Sequence, residues 1–256
     1  MKVTLLQVIN RVLHPLSLAL TSRHEAATFE APYDFSQLEK TILSQVRPFT
    51  KTSPERVAVL VEAVRHIVTQ GIRGDFVECG VWKGGSAMAA ALALQASGDT
   101  GRDLWLYDTY EGMSEPTPND VSYDGASAAE QLQHQDIQDP RSVWCYSPLE
   151  EVQANVKSTR YPEDRLHYVK GRVEDTLPNT LPDRIALLRL DTDWYESTRH
   201  ELIHLYPRLA SGGILIVDDY GYWQGSRRAV DEYFDEHGSR PMLVRIDATA
   251  RIAVKP

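Results

Sequence analysis

Cysteine is nearly missing from this chain of 256 residues: Cys79 and Cys145 are the two present, in no CxxC spacing. A disulfide framework and a cysteine-bound metal are both excluded, and a reducing compartment fits. Basic residues are also in short supply, with 27 Lys and Arg against 36 Asp and Glu for a net charge of -9. That balance argues against a protein built around the nucleic-acid backbone, while leaving an anionic substrate open. Long apolar runs are lacking too. Residues 3–20 come nearest, but Asn10, Arg11, His14 and Pro15 interrupt them. Neither a membrane span nor a secretory signal reads like this. An amphipathic helix over Val3 to Val12, broken at Pro15, in a cytoplasmic protein, is the expectation. No internal repeat or low-complexity stretch appears. A hydrophobic share of 42% and a charged share of 25% exclude a disordered or fibrous chain.

From about residue 55, short apolar runs alternate with helical patterns, which predicts a mostly parallel α/β sheet wrapped by helices. Ser53-Pro54-Glu55 starts a helix running to about Gln70. Strands are expected at Asp75–Cys79, Leu104–Asp108, Leu166–Lys170, Ile185–Leu190 and Gly213–Val217. Helices are expected from Ser86 to about Ala96, from about Leu149 to Thr159, and over about 196–210 and 223–237. The runs IALLRL and GILIV suit central strands covered on both faces. Met242–Ile246 and Arg251–Val254 close the chain as an antiparallel hairpin. Residues 1–50 read as a helical N-terminal extension, and 51–256 as the main domain. Within it, 109–148 is an irregular insertion of the kind that forms lids or binding loops.

Ligands of open α/β sheets bind outside the carboxyl ends of the strands, and three constellations fall there. Glu78-Cys-Gly-Val-Trp-Lys-Gly-Gly-Ser86 joins a strand to a helix with glycines that admit close backbone approach. It is neither GxGxxG nor a phosphate loop, so dinucleotide and nucleoside triphosphate readings weaken. Asp108 ends the next strand, where a carboxylate can accept both hydroxyls of a ribose. Asp191-Thr-Asp193 and Asp218-Asp219 end the two most apolar strands. If those strands are neighbours, four carboxylates crowd one pocket and raise one another's pKa unless a cation compensates. Oxygen-only donors favour Mg²⁺ or a similar hard ion. A single Asp-Asp is more often a helix cap; two such pairs favour the metal.

These residues carry a resemblance. Gly74 to Ser86, Leu190-Asp-Thr-Asp-Trp-Tyr195, Pro207 to Gly213 and Val217-Asp-Asp-Tyr220 together resemble the macrocin O-methyltransferase family, whose members methylate sugar hydroxyls in macrolide and aminocoumarin biosynthesis. The likeness spans roughly residues 50–256. It implies a class I methyltransferase fold, Rossmann-like, with S-adenosylmethionine as donor and Mg²⁺ as metal. By position it makes Asp191, Asp218 and Asp219 metal ligands and Asp193 the general base. It puts Glu78, Gly80, Val81 and Ser86 at the methionine end of the donor and Asp108 at its ribose. Gly171, Val173 and Glu174 then lie near the adenine, with Thr52 and Ser53 at the donor's carboxylate. It also implies a small hydroxylated acceptor, a glycoside before a catechol-like phenol, and a homo-oligomer in which the N-terminal helix offers an interface. No nucleic-acid or membrane partner is expected.

Two other readings compete. His200-Glu-Leu-Ile-His204 satisfies HExxH, the helical signature of a zinc peptidase with Glu201 as base. No third ligand is evident where catalytic zinc needs three, and the helix flanks the sheet away from the strand tips. A donor-binding module without catalysis needs the glycine turn but not the four acids. Tyr222 and Trp223 are expected at the pocket, Trp105 and Cys79 in the core.

Overall fold

Two buried apolar runs, Ile185–Leu190 with Arg189 as its one charge and Gly213–Val217, set the middle of the molecule, and the rest is arranged around them. The computed structural model describes residues 31–139 and 142–256, and residues 36–256 form the compact unit that concerns us. The expected helix at Val3–Val12 lies outside the described residues. Helix α1 (Gln37–Val46) starts with a capping box between Ser36 and Glu39. Helix α2 (Pro54–Thr69) is capped by the Ser53 hydroxyl, which accepts from the Arg56 N–H at 3.2 Å.

Strand β1 (Asp75–Cys79) leads into α3 (Gly85–Ala96), β2 (Leu104–Asp108), α4 (Ala128–Gln133), α5 (Leu149–Lys157) and β3 (Leu166–Lys170). Then follow α6 (Val173–Thr176), β4 (Ile185–Leu190), α7 (Tyr195–Leu205), β5 (Leu209–Val217), α8 (Gln224–His237), β6 (Val244–Arg245) and β7 (Arg251–Val254). The sheet order is β3-β2-β1-β4-β5-β7-β6, parallel from β3 to β5 and antiparallel at β7 and β6. The fold is thus the mostly parallel α/β sheet with a C-terminal antiparallel hairpin that the sequence predicts. Every residue of β4 is buried.

Three boundaries move. Strand β5 begins at Leu209 rather than Gly213, because Leu209 pairs with Ile185 while an irregularity absorbs the Ser211-Gly212-Gly213 stretch. Helix α7 stops at Leu205 and tightens into a 3₁₀ turn at Tyr206–Arg208, where Pro207 supplies no N–H. Strand β6 shrinks to two exposed residues at the sheet edge. No described helix is long and apolar enough to cross a membrane.

The chain runs β1-β2-β3 to one side, then crosses back to place β4 against the other side of β1. This reversal opens a crevice at the carboxyl ends of β1 and β4. The ladder continues past the strands: Asp191 N donates to Cys79 O at 2.8 Å and Asp218 N to Leu190 O at 2.9 Å. Hydrogen-bonded backbone therefore carries the acidic residues to adjacent positions on the rim.

Candidate active site

A cavity of about 470 Å³ sits at that crevice, within the usual size of a small-molecule site. Its floor is the turn after β1. Gly80 takes φ +83 there, and a Cβ at this position would come 2.6 Å from the Asp191 carbonyl carbon. Only glycine lets β1 and β4 close this tightly. Trp82 follows in the left-handed region at φ +47. The turn is held from the tip of β2: Asp108 Oδ2 accepts from Val81 N at 2.6 Å and Trp82 N at 3.0 Å, and Oδ1 accepts from Tyr110 N at 2.7 Å. Burial pushes the Asp108 carboxyl up, and these three N–H groups offset only part of that rise.

Of the residues expected to hold a donor, Thr52, Gly80, Val81, Ser86, Asp108, Gly171, Val173 and Glu174 line the cavity. Ser53 and Glu78 do not. The Ser53 hydroxyl caps α2 and donates to Asp247 Oδ2 at 2.8 Å. Glu78 is fully buried behind the turn, its Oε1 accepting from Arg189 Nη1 at 2.7 Å.

All four rim aspartates face the cavity. Asp191, Asp193 and Asp219 each bring one carboxylate oxygen within 4.8 Å of the others, the one such group of possible metal ligands among the described residues. Asp218 stands beside them in ion pairs, one oxygen taken by Arg56 and the other 2.9 Å from Arg189 Nη2. That second oxygen, Oδ1, is buried and lacks a well-aligned hydrogen bond, as is Asp219 Oδ2. Asp193 reaches the cluster through a left-handed backbone, φ +68. Burial first, then the neighbouring Asp191 charge, pushes the Asp193 carboxyl up to about 7. Asp191 and Asp219 are pushed well above the carboxylate range, again by burial and then by facing charges.

Several residues at the site escape sequence reasoning. Arg189 had a signal: a lone charge inside an apolar buried strand must find partners. Arg56, in the first turn of α2, had none. It reaches Asp218, Asp247 and Thr249 from far away in the chain. Lys51 also lines the cavity, donating to Ser142 O at 2.5 Å and Cys145 Sγ at 3.4 Å while resting 4.8 Å from the centre of the Trp82 ring. On another wall of the cavity, Trp194 and Trp223 pack edge to face at 5.0 Å, with Met113 and Tyr222 against them. The insertion is pinned over them by Asp120 Oδ1, which accepts from Tyr195 N at 2.7 Å, and by Trp194 Nε1, which donates to Ser114 O at 3.0 Å.

The HExxH residues do something else. Glu201 is fully buried, accepting from Thr192 Oγ1 at 2.8 Å, and His200 Nε2 lies 3.1 Å from Leu177 O. No third ligand joins them among the described residues.

Comparison with known proteins places these features. A family model described as macrocin-O-methyltransferase (TylF) matches residues 12–254. A tetracenomycin-C rhamnosyl 4'-O-methyltransferase of Streptomyces olivaceus is 36% identical over 200 residues, covering 78% of this chain and 73% of the relative. The mycinamicin III 3''-O-methyltransferase of Micromonospora griseorubida is 34% identical over 198 residues, covering 77% and 75%. The solved O-methyltransferase NovP superposes with a TM-score of 0.70 at 30% identity, over 81% of this chain and 82% of that one.

Proposed function

Because this chain belongs to the macrocin O-methyltransferase family, we propose that it uses S-adenosylmethionine and Mg²⁺ to methylate a hydroxyl of a sugar carried by a natural product. O-methyl transfer is the activity of the family, and the relatives described above act on glycosides by their names. The observation that carries the cation is the acidic rim: oxygen-only donors at adjacent strand tips, with Asp219 Oδ2 buried and without a hydrogen bond. Such a donor set fits a hard divalent ion. Asp191, Asp218 and Asp219 would hold it, with Asp193 as the base.

When bound, the donor supplies an electrophilic methyl on a sulfonium, and the cation lowers the pKa of a hydroxyl that it ligates. Asp193 takes the acceptor's proton on its carboxylate as the oxygen's electron pair forms the new C–O bond. The donor's methyl–sulfur bond would break in the same transfer, its electron pair staying on sulfur. Asp108, its plane fixed by three backbone N–H groups, offers its carboxylate to the ribose hydroxyls. Trp194, Trp223 and Tyr222 exclude water from the acceptor side and give a sugar ring apolar faces to lie on.

The direct test is methyl transfer to deoxysugar glycosides after EDTA treatment. Activity lost to EDTA and restored by Mg²⁺ but not Zn²⁺ is the expected result. Activity indifferent to EDTA removes the cation, and transfer to catechols with no glycoside turnover removes the sugar acceptor.

The raised carboxyls give this site a pH signature. Ligation needs the ionised form, so cation affinity should rise with pH as the raised Asp191 and Asp219 carboxyls ionise, with protons released on binding. The Asp193 carboxyl, raised above its unfolded value, favours the fold at low pH and loses that contribution as pH climbs through about 7. Added Mg²⁺ should therefore raise the melting temperature more at alkaline than at neutral pH. Calorimetry in buffers of different ionisation enthalpy reads the proton release.

A further inference from the structure

Behind the cavity, one buried guanidinium joins three strand tips. Arg189 stands in register opposite Glu78 on the neighbouring β1. Its Nη1 donates to Glu78 Oε1 at 2.7 Å, and its Nη2 lies 2.7 Å from Asp191 Oδ2 and 2.9 Å from Asp218 Oδ1. The side chains of Arg189 and Glu78 are 4% and 1% exposed. Glu78 does not line the cavity, and its second oxygen is buried without a hydrogen-bond partner.

We propose that Glu78 and Arg189 form a positioning pair for the cation site, in which Glu78 sets the affinity for a divalent ion it never touches. The proposal rests on the reading above that a cation binds among Asp191, Asp218 and Asp219. An arginine keeps its charge in any protein environment, so burial obliges it to spend that charge on carboxylates. With Glu78 anchoring one arm of the fork, the other arm orients Asp191 and Asp218 while part of the guanidinium charge is already matched. Without Glu78 the whole charge falls on Asp191 and Asp218, the same groups that a divalent ion must recruit. Arg189 then competes with the ion rather than presenting its ligands. Arg56 on the far side of Asp218 cannot relieve this, since it is shared with Asp247.

The test is calorimetric titration of the full chain with MgCl₂, no donor present, so the readout is independent of turnover. Glu78→Gln should weaken Mg²⁺ binding on the order of tenfold, the usual cost of removing a partner of a ligating carboxylate. Glu151→Gln, an equal loss of charge at a residue that pairs with Lys83 and does not line the cavity, should leave Mg²⁺ affinity unchanged. Arg189→Lys keeps the charge but loses the fork and should also weaken the ion; it carries the test if Glu78→Gln does not fold, as judged by near-ultraviolet circular dichroism. Wild-type affinity in both Glu78→Gln and Arg189→Lys overturns the pair, as does an equal loss in Glu151→Gln. A wild-type chain that gives no Mg²⁺ heat overturns instead the cation site on which the pair depends.

Discussion

Asp193→Asn should lower kcat by roughly 10²- to 10⁴-fold, the range a positioned general base contributes. The substitution is close to isosteric, and asparagine is among the few residues that accept a left-handed backbone, so φ +68 at this position need not change. What disappears is the carboxylate that takes the acceptor's proton. Mg²⁺ and donor affinities should stay near wild type, whereas Asp218→Asn should weaken Mg²⁺. Because Asp193 shares the oxygen cluster with Asp191 and Asp219, this comparison separates base from ligand. Equal loss of cation affinity in the two variants would make Asp193 a ligand and end its assignment as the base.

Gly80→Ala should cost about 3 kcal/mol or more of stability, because both of its conflicts are with backbone. The new methyl would meet the Asp191 carbonyl, with its carbon at 2.6 Å, and the residue would have to hold φ +83. Neither neighbour is the end of a flexible chain that could swing aside. For a domain of this size, such a loss lowers the melting temperature by roughly 6–12 °C. The relaxation that does occur must push β4 away from β1 at the residue that carries Asp191. Donor and cation affinity should therefore fall in the fraction that folds. A thermal melt within a degree or so of wild type would show that the rim is looser than the geometry requires.

Much of this was legible in the sequence, for specific reasons. The central strands are apolar on both faces, so Ile185–Leu190 could be bounded to the residue. Ser53 with Pro54 announced the start of α2. Acids directly after apolar runs fall at strand tips by construction, which is why all four rim aspartates reach one cavity. What escaped depends on contacts between distant segments. Nothing around Arg56 indicates that it meets Asp247, 191 residues later. The sequence suggests a strand that begins at Gly213, yet the sheet already pairs at Leu209 and accommodates Ser211-Gly212-Gly213 as an irregularity inside β5. The seating of the insertion rests on Asp120, whose partner is the first N–H of α7. The left-handed turn at Asp193 is likewise set by its surroundings rather than by a glycine.

Lys51 joins the segment that enters α2 to the insertion. Its ammonium donates to the Ser142 carbonyl, 91 residues further along, and a hydrogen bond to a charged group is worth about 1.5–3 kcal/mol. With Tyr195 N on Asp120 and Trp194 Nε1 on Ser114, the insertion is moored to the rest of the fold from two distant stretches of chain. The wall it contributes to the cavity is therefore built jointly by segments that the sequence keeps far apart.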